Sequence, residues 1–469
     1  MIKKHSALFL TISTALAIAC AVCLSCGTNI FGFHPMDKQA YWLSFLLFGL
    51  TTIFASISIF FGYRLKKYRP SVFLIALFSF LILFNLISLL LYKNPTVYGF
   101  VDPLNNSYTI NHSINGMEIA IYELRFFGLL FNAFMILDFI PKFYKTNHVV
   151  RVVCWCVLTF GAVAIIASFF TDSMKYYYLL TFDNFFIRLH TLAIYSFFGS
   201  KNSFGTSMLL CLVSSIILFR EKKNLWWLIA LAISNIWLVL SQCKLGILAG
   251  LLIETAYFIS LYVLTFSKDK KRSTIVGVSI LGGVVVTVGL LFIIGPTREF
   301  VLKVFANLFA EANGMNTFET RQYMWSYTFN ILSHSNYASG VGFGLFNDIL
   351  YIFTSVDVEN IAMYHTTTSH NAALQLLGDG GIILLISWLA LLAYLVYVSI
   401  KVLKINKETA ITTLVLIASM LVYGVFESSC LIFVSTGEFV VLTLLVVVPL
   451  MQVKQHSLDS KGDKILNLI

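Results

Sequence analysis

The chain has 469 residues, of which 58% are hydrophobic and 12% charged, with a mean hydropathy of +0.85. A soluble domain needs about 25% charged residues to cover its surface, so a string of soluble domains is excluded and a polytopic membrane protein is expected. The net charge of +10 therefore has to be sorted by position before it says anything about a nucleic acid.

Apolar runs of about 20 residues cross a bilayer as helices. They begin near Ala7, Tyr41, Ser71, Ile119, Val149, Thr206, Leu225, Leu245, Thr274, Gly381, Thr409 and Leu431, which gives twelve expected spans in an all-α polytopic fold. All the prolines but Pro449 fall at span ends or in connections, as continuous helices require. Basic residues test the count. Lys3 and Lys4, then Arg64 to Arg69, Lys142 to Arg151, Arg220 to Lys223, Lys268 to Arg272, Lys401 to Lys407 and the tail Lys454 to Lys464 alternate with sparsely basic connections, and they hold 22 of the 32 Lys and Arg. By the positive-inside rule these segments are cytoplasmic and both termini lie inside. The excess charge is then a topological signature, and a nucleic-acid partner is excluded.

The first run follows a basic start as a signal peptide would, but it reaches Cys26 without a convincing small-x-small cleavage site, so a retained helix is expected. Cys20, Cys23 and Cys26 within it lack histidine or carboxylate companions and read as buried apolar residues, not as a metal centre.

Cytoplasmic connections are short, whereas the outward ones include Lys93 to Glu118, Thr171 to Gly205 and a stretch of about eighty residues from Gly295 to Gly380. The organisation expected is a bundle of spans 1–9 over residues 1–294, an extracytoplasmic catalytic loop over 295–380, spans 10–12 over 381–452 and a cytoplasmic tail over 453–469. Within the loop, apolar residues at helical spacing predict a surface helix over Arg298 to Ala312. Asn316 and Glu319 then form a capping box for a second helix through Leu332, with Arg321, Trp325 and Thr328 on one face. A glycine-rich turn, Gly340-Val341-Gly342-Phe343-Gly344, follows. His370-Asn371 comes next, at the start of a helix beginning at Ala372, where open backbone N–H groups favour anions.

The stretch from Arg321 and Trp325 through Gly340, Gly342 and Gly344 to His370, Asn371, Leu374, Gln375, Leu377, Asp379 and Gly381 resembles the signature of the O-antigen ligase and polysaccharide polymerase superfamily. Two further stretches resemble it more loosely: Phe198 to Gly205, with Lys201 where proline is usual, and Ser241 to Gly246, with Lys244 where arginine is common. Asp379 stands where the family usually has glutamate.

The resemblance implies a multi-spanning enzyme of the bacterial cytoplasmic membrane, acting at the outer face on undecaprenyl-diphosphate-linked oligosaccharide. Its implied partners are that donor, membrane lipid, and a flippase and chain-length regulator of the same pathway. It also implies that no cofactor and no metal are needed, since the diphosphate is already a good leaving group. The protein has then to neutralise the departing diphosphate and to take a proton from the acceptor hydroxyl. His370 is expected as the base and Arg321 as a catalytic cation, with Lys244, Arg188 and Lys201 also binding diphosphate, Asn371, Asp379, Trp325 and Glu254 in support, and inversion at the anomeric carbon. Lysine meets a phosphate as a point charge where arginine would grip it bidentately.

Other readings of the same residues stay open. Arg321 can cap its helix or pair with Glu319 or Glu311, and Lys244 can be an interfacial anchor. Glu123, Arg125, Glu254, Glu427 and Glu438 lie in or beside spans, where they either serve the substrate or tie helices together. The tyrosines and phenylalanines of the Thr171 to Gly205 connection suit a long glycan, which favours a polymerase over a ligase. From another class, a twelve-span transporter or flippase would show internal repeats and polar residues at the bilayer midplane; no such repeat is seen.

Overall fold

The computed structural model describes residues 12–17, 38–64, 68–91, 96–101, 107–144, 146–170, 175–180, 189–194, 201–222, 224–241, 243–266, 317–335, 337–356, 368–428 and 442–453, together with residues 9 and 431. The described part of the chain is nearly all helical. In chain order the helices are α1 (Lys38–Arg64), α2 (Val72–Leu91), α3 (Gly116–Phe134), α4 (Thr146–Phe170), α5 (Lys201–Lys222), α6 (Leu225–Ser241), α7 (Lys244–Phe266), α8 (Thr317–Ser333), α9 (Leu345–Val356), α10 (Ala372–Val402), α11 (Lys407–Phe426) and α12 (Leu442–Val453). Among the described residues six helices are long and apolar enough to cross a membrane: Val72–Leu91, Gly116–Lys142, Thr146–Ser168, Phe204–Glu221, Ala372–Val402 and Lys407–Phe426. Their apolar residues face outward as well as inward, as with Phe73, Phe80 and Leu83 of α2. That is what a helix solvated by lipid requires and what a soluble helix avoids.

Two elements depart from an all-helical chain. β1 (Thr96–Val101) pairs antiparallel with β2 (Ser107–His112), and β3 (Lys175–Leu180) with β4 (Leu189–Ile194). Both hairpins lie in connections expected to face outward. The run from Thr274 and the surface helix from Arg298 to Ala312 lie outside the described residues, as do Cys20, Cys23, Cys26 and Glu438.

Two cores organise the rest. The larger runs through the bundle, with Phe139, Phe204, Leu209, Leu395 and Val447 fully buried. The smaller one caps one end of it, where α8 and α9 bury Met324, Tyr327, Ile331, Phe346 and Phe353 against Leu89 of α2 and Ile119 and Tyr122 of α3. At the opposite end of the α2 and α3 pair, α3 widens into a π turn over Met135–Phe139 just before Pro141. Proline has no N–H for the regular ladder, and an inserted residue is one way for a helix to absorb that. The turn buries Asp138, which accepts from Tyr68 Oη at 2.5 Å and pairs with Lys142 at 2.7 Å.

The glycine-rich turn is where the smaller core meets α10. Helix α10 breaks at Gly380 and Gly381, both outside helical φ/ψ, so the helix expected from Ala372 and the run expected from Gly381 are two halves of one interrupted element. The loop before α9 lies against this break, with Val341 N–H donating to Gly378 O at 2.9 Å and Ile382 N–H to Tyr337 O at 2.9 Å. Gly340 and Gly381 both have positive φ, and a Cβ on Gly340 would lie 2.5 Å from Gly378 O. Only glycine lets two backbones approach so closely in that conformation.

Candidate functional site

Four separate stretches of chain converge at the end of the bundle capped by α8 and α9. Helix α8 contributes Arg321, one turn in from its start at Thr317. Asn371 caps α10, accepting from Leu374 N–H at 3.0 Å, and holds His370 just ahead of the first turn. Asn202 lies in the first turn of α5. Glu427 is the C-cap of α11, in extended conformation, and sits among the other three.

Glu427 uses both carboxylate oxygens. Oε2 meets His370 Nδ1 at 3.0 Å; Oε1 accepts from Arg321 Nη2 at 3.0 Å and from Asn202 Nδ2 at 3.3 Å. Arg321 Nε also donates to Phe426 O at 3.1 Å, and Asn371 Nδ2 to Val425 O at 3.0 Å, so the last carbonyls of α11 are held as well. The side chains of Arg321 and Glu427 are 9% and 11% exposed, whereas that of His370 is 21% exposed. The ion pair is thus shielded from water and the imidazole is not sealed in. Burial alone would raise the Glu427 carboxyl, but the charge and hydrogen bond of His370, then those of Arg321, outweigh it and hold the group below its ordinary value.

A carboxylate at Nδ1 requires the imidazole proton there, which makes Nε2 the basic nitrogen. Arg321 and Glu427 cancel in charge while His370 is neutral. Once His370 takes a proton the group carries one net positive charge, the arrangement that favours an anion forming nearby.

Of the residues expected at a site, His370, Arg321 and Asn371 come together. Lys244 opens α7 and is half-buried, one residue from Cys243. Cys243 lies against Gly205, where a Cβ would strike Cys243 Cβ and come 2.9 Å from Ser241 Oγ. The stretches containing Asn202 and Lys244 are therefore packed on each other. Lys201 is the first residue of α5, its side chain outside the described part, and Arg188 lies outside the described residues altogether.

Among the described residues, the remaining supporting candidates have their contacts elsewhere. Asp379 is buried in α10 and accepts from Gln375 at 3.1 Å. Glu254 accepts from Asn235 of α6 at 2.6 Å, a polar tie between neighbouring helices. Trp325 packs on the smaller core. Among the described residues the carboxylate that meets Arg321 is that of Glu427; Glu311 and the side chain of Glu319, the partners expected for it, lie outside the described part. In the sequence Glu427 is one of several carboxylates in or beside spans, and the signal that singles it out is its position at the end of α11, in a connection expected to lie on the same side as His370 and Arg321. Among the described residues no group of three or more His, Cys, Asp or Glu side chains is placed to hold a metal ion.

No family profile matches the chain, and no curated protein matches it in sequence.

Proposed function

We propose that the chain is a membrane glycosyltransferase of the O-antigen ligase and polysaccharide polymerase type, with twelve spans and both termini in the cytoplasm of a bacterium. On this reading it transfers an oligosaccharide from polyprenyl diphosphate to a sugar hydroxyl at the outer face. His370 Nε2 takes the acceptor's hydroxyl proton as that oxygen forms its bond to the anomeric carbon. The bond from the anomeric carbon to phosphate breaks on the opposite face, its electron pair leaves with the diphosphate, and the configuration inverts. Arg321 and Lys244 stabilise the departing charge, Arg188 and Lys201 are further diphosphate ligands, and Glu427 holds the histidine in its basic tautomer. The observation that carries the reading is the joint grip of Glu427 on His370 and Arg321, residues from two separate parts of the motif-bearing loop. Most simply the activity polymerises repeat units of a surface polysaccharide; a ligase would use the same chemistry on a lipid, protein or wall acceptor.

The test is complementation of a strain deleted for the gene, with surface glycan resolved on a gel. His370→Ala and Arg321→Ala, present in the membrane at normal amounts, are expected to leave single repeat units if the enzyme is a polymerase. They leave unattached lipid-linked long chains if it is a ligase. Full-length attached glycan from His370→Ala would overturn the reading.

A further inference from the structure

His370 is the one non-glycine residue with positive φ among the described residues, at φ 50. A left-handed backbone is unfavourable for an ordinary L-residue, so it persists only where its surroundings hold it. On the C-terminal side the hold is Asn371, through its cap and its bond to Val425 O. On the N-terminal side Ser369 N–H donates to Gln375 Oε1 at 3.1 Å, and the Ser369 hydroxyl donates to Asn371 O at 2.8 Å, bridging the histidine.

Gln375 is buried at 3% exposure, and its amide has one allowed orientation. Nε2 donates to Asn347 Oδ1 at 2.6 Å and to Asp379 Oδ2 at 3.1 Å, which turns Oε1 towards Ser369. Asn347 lies in the first turn of α9 and Asp379 beside the break in α10. A continuous run of hydrogen bonds thus leads from two well-packed elements of the fold to the backbone that carries the imidazole.

We propose that Gln375 is a positioning residue. Its amide transfers the fixed placement of Asn347 and Asp379 to Ser369, and so keeps the His370 ring against Glu427 in the geometry that proton transfer needs. This rests on the reading of His370 as the base. It also gives Asp379 a role at one remove: a carboxylate that orients the glutamine and touches no substrate.

Gln375→Glu places a second carboxylate against Asp379 and removes the donor. The double substitution Gln375→Glu with Asp379→Asn restores a donor and acceptor between the two positions with the sense reversed, and leaves an oxygen for Ser369. In a transfer assay on the purified full chain with a lipid-linked donor, Gln375→Glu is expected to lower kcat by roughly ten- to a hundredfold, the scale of a small misplacement of a reacting group. KM for the donor stays unchanged, and the double substitution recovers most of kcat. Gln375→Met removes the bonds without adding charge and carries the same test where charge repulsion lowers the yield of folded protein. An unchanged kcat, a loss appearing in KM, or an equal loss in the single and double substitutions would overturn the proposal. His370→Ala run alongside separates the two ideas: full activity there removes the proposed function, whereas an inactive His370→Ala beside a fully active Gln375→Glu removes only the positioning role.

Discussion

His370 Nδ1 and Glu427 Oε2 lie 3.0 Å apart across 57 residues of chain, and the other oxygen of the same carboxylate accepts from Arg321 at 3.0 Å. One carboxylate thereby determines the tautomer of a histidine and the orientation of an arginine. That division of labour can be tested by altering the carboxylate alone.

Glu427→Gln keeps the shape and removes the charge. A glutamine offers an N–H either to His370, selecting the wrong tautomer, or to Arg321, which it repels. The expected loss of transfer rate is up to about 10⁴-fold, the loss that follows when the carboxylate orienting a catalytic histidine becomes an amide. Glu427→Ala is expected to cost folded protein as well, since an uncompensated buried cation costs about 3–5 kcal/mol. Transfer rate and the melting temperature of the detergent-solubilised protein read the two effects separately, and wild-type rates in Glu427→Gln would exclude the role given to it.

Arg321→Lys keeps the charge but cannot reach both Phe426 O and Glu427 as the guanidinium does. A rate loss nearly as large as in Arg321→Ala is expected, with Lys244→Arg tolerated or slightly faster. If Arg321→Lys behaves as wild type in the gel assay, only charge matters at that position.

Acid should release the same contact. The native Glu427 carboxyl lies below its ordinary value, so its contribution to stability is complete above the usual carboxylate range and is lost as pH falls through the lowered native value. Melting temperatures taken from neutral to acidic pH should show a falling acid limb in the wild type that is smaller in Glu427→Gln. Superimposable profiles would remove Glu427 as its source.

Gly340→Ala and Gly381→Ala each add a Cβ that meets backbone, at Gly378 O and at Ala338 O respectively, at positive φ. Each is expected to destabilise the end of the bundle by about 1–3 kcal/mol and to lower the amount of monodisperse protein on gel filtration. Equal yields would mean that the loop and the break in α10 can separate without cost.

Helix α8 and the start of α10 at Ala372 are legible in the sequence because their causes are local, namely apolar spacing and a glycine-rich stop, while the capping box expected from Asn316 and Glu319 lies outside the described part. The hairpins left a fainter local trace. Thr96 to Val101 and Ser107 to His112 are short runs with β-branched and aromatic residues flanking Asp102, Pro103, Asn105 and Asn106, a turn composition that a helix-length window averages away. Glu427 is marked in the sequence only as one of five charges in or beside spans, with nothing to rank it among them. A carboxylate after an apolar run looks alike whether it meets water, lipid headgroups or an arginine. What distinguishes this one is the meeting of α5, α8, α10 and α11, which no local pattern encodes.

Glu427 is the first residue beyond α11, while its partners His370 and Asn202 sit at the starts of α10 and α5. A helix advances about 1.5 Å per residue, so sliding α11 along its axis by a single residue is enough to pull a 3.0 Å contact out of hydrogen-bonding range. Helix tilt and depth respond to the thickness of the surrounding hydrocarbon. If the proposed function holds, lipid thickness is expected to act as a ruler for the contact between Glu427 and His370. In reconstituted bilayers of graded acyl length the transfer rate should peak at one thickness and fall on either side, and a flat response would mean that the helix ends move as one.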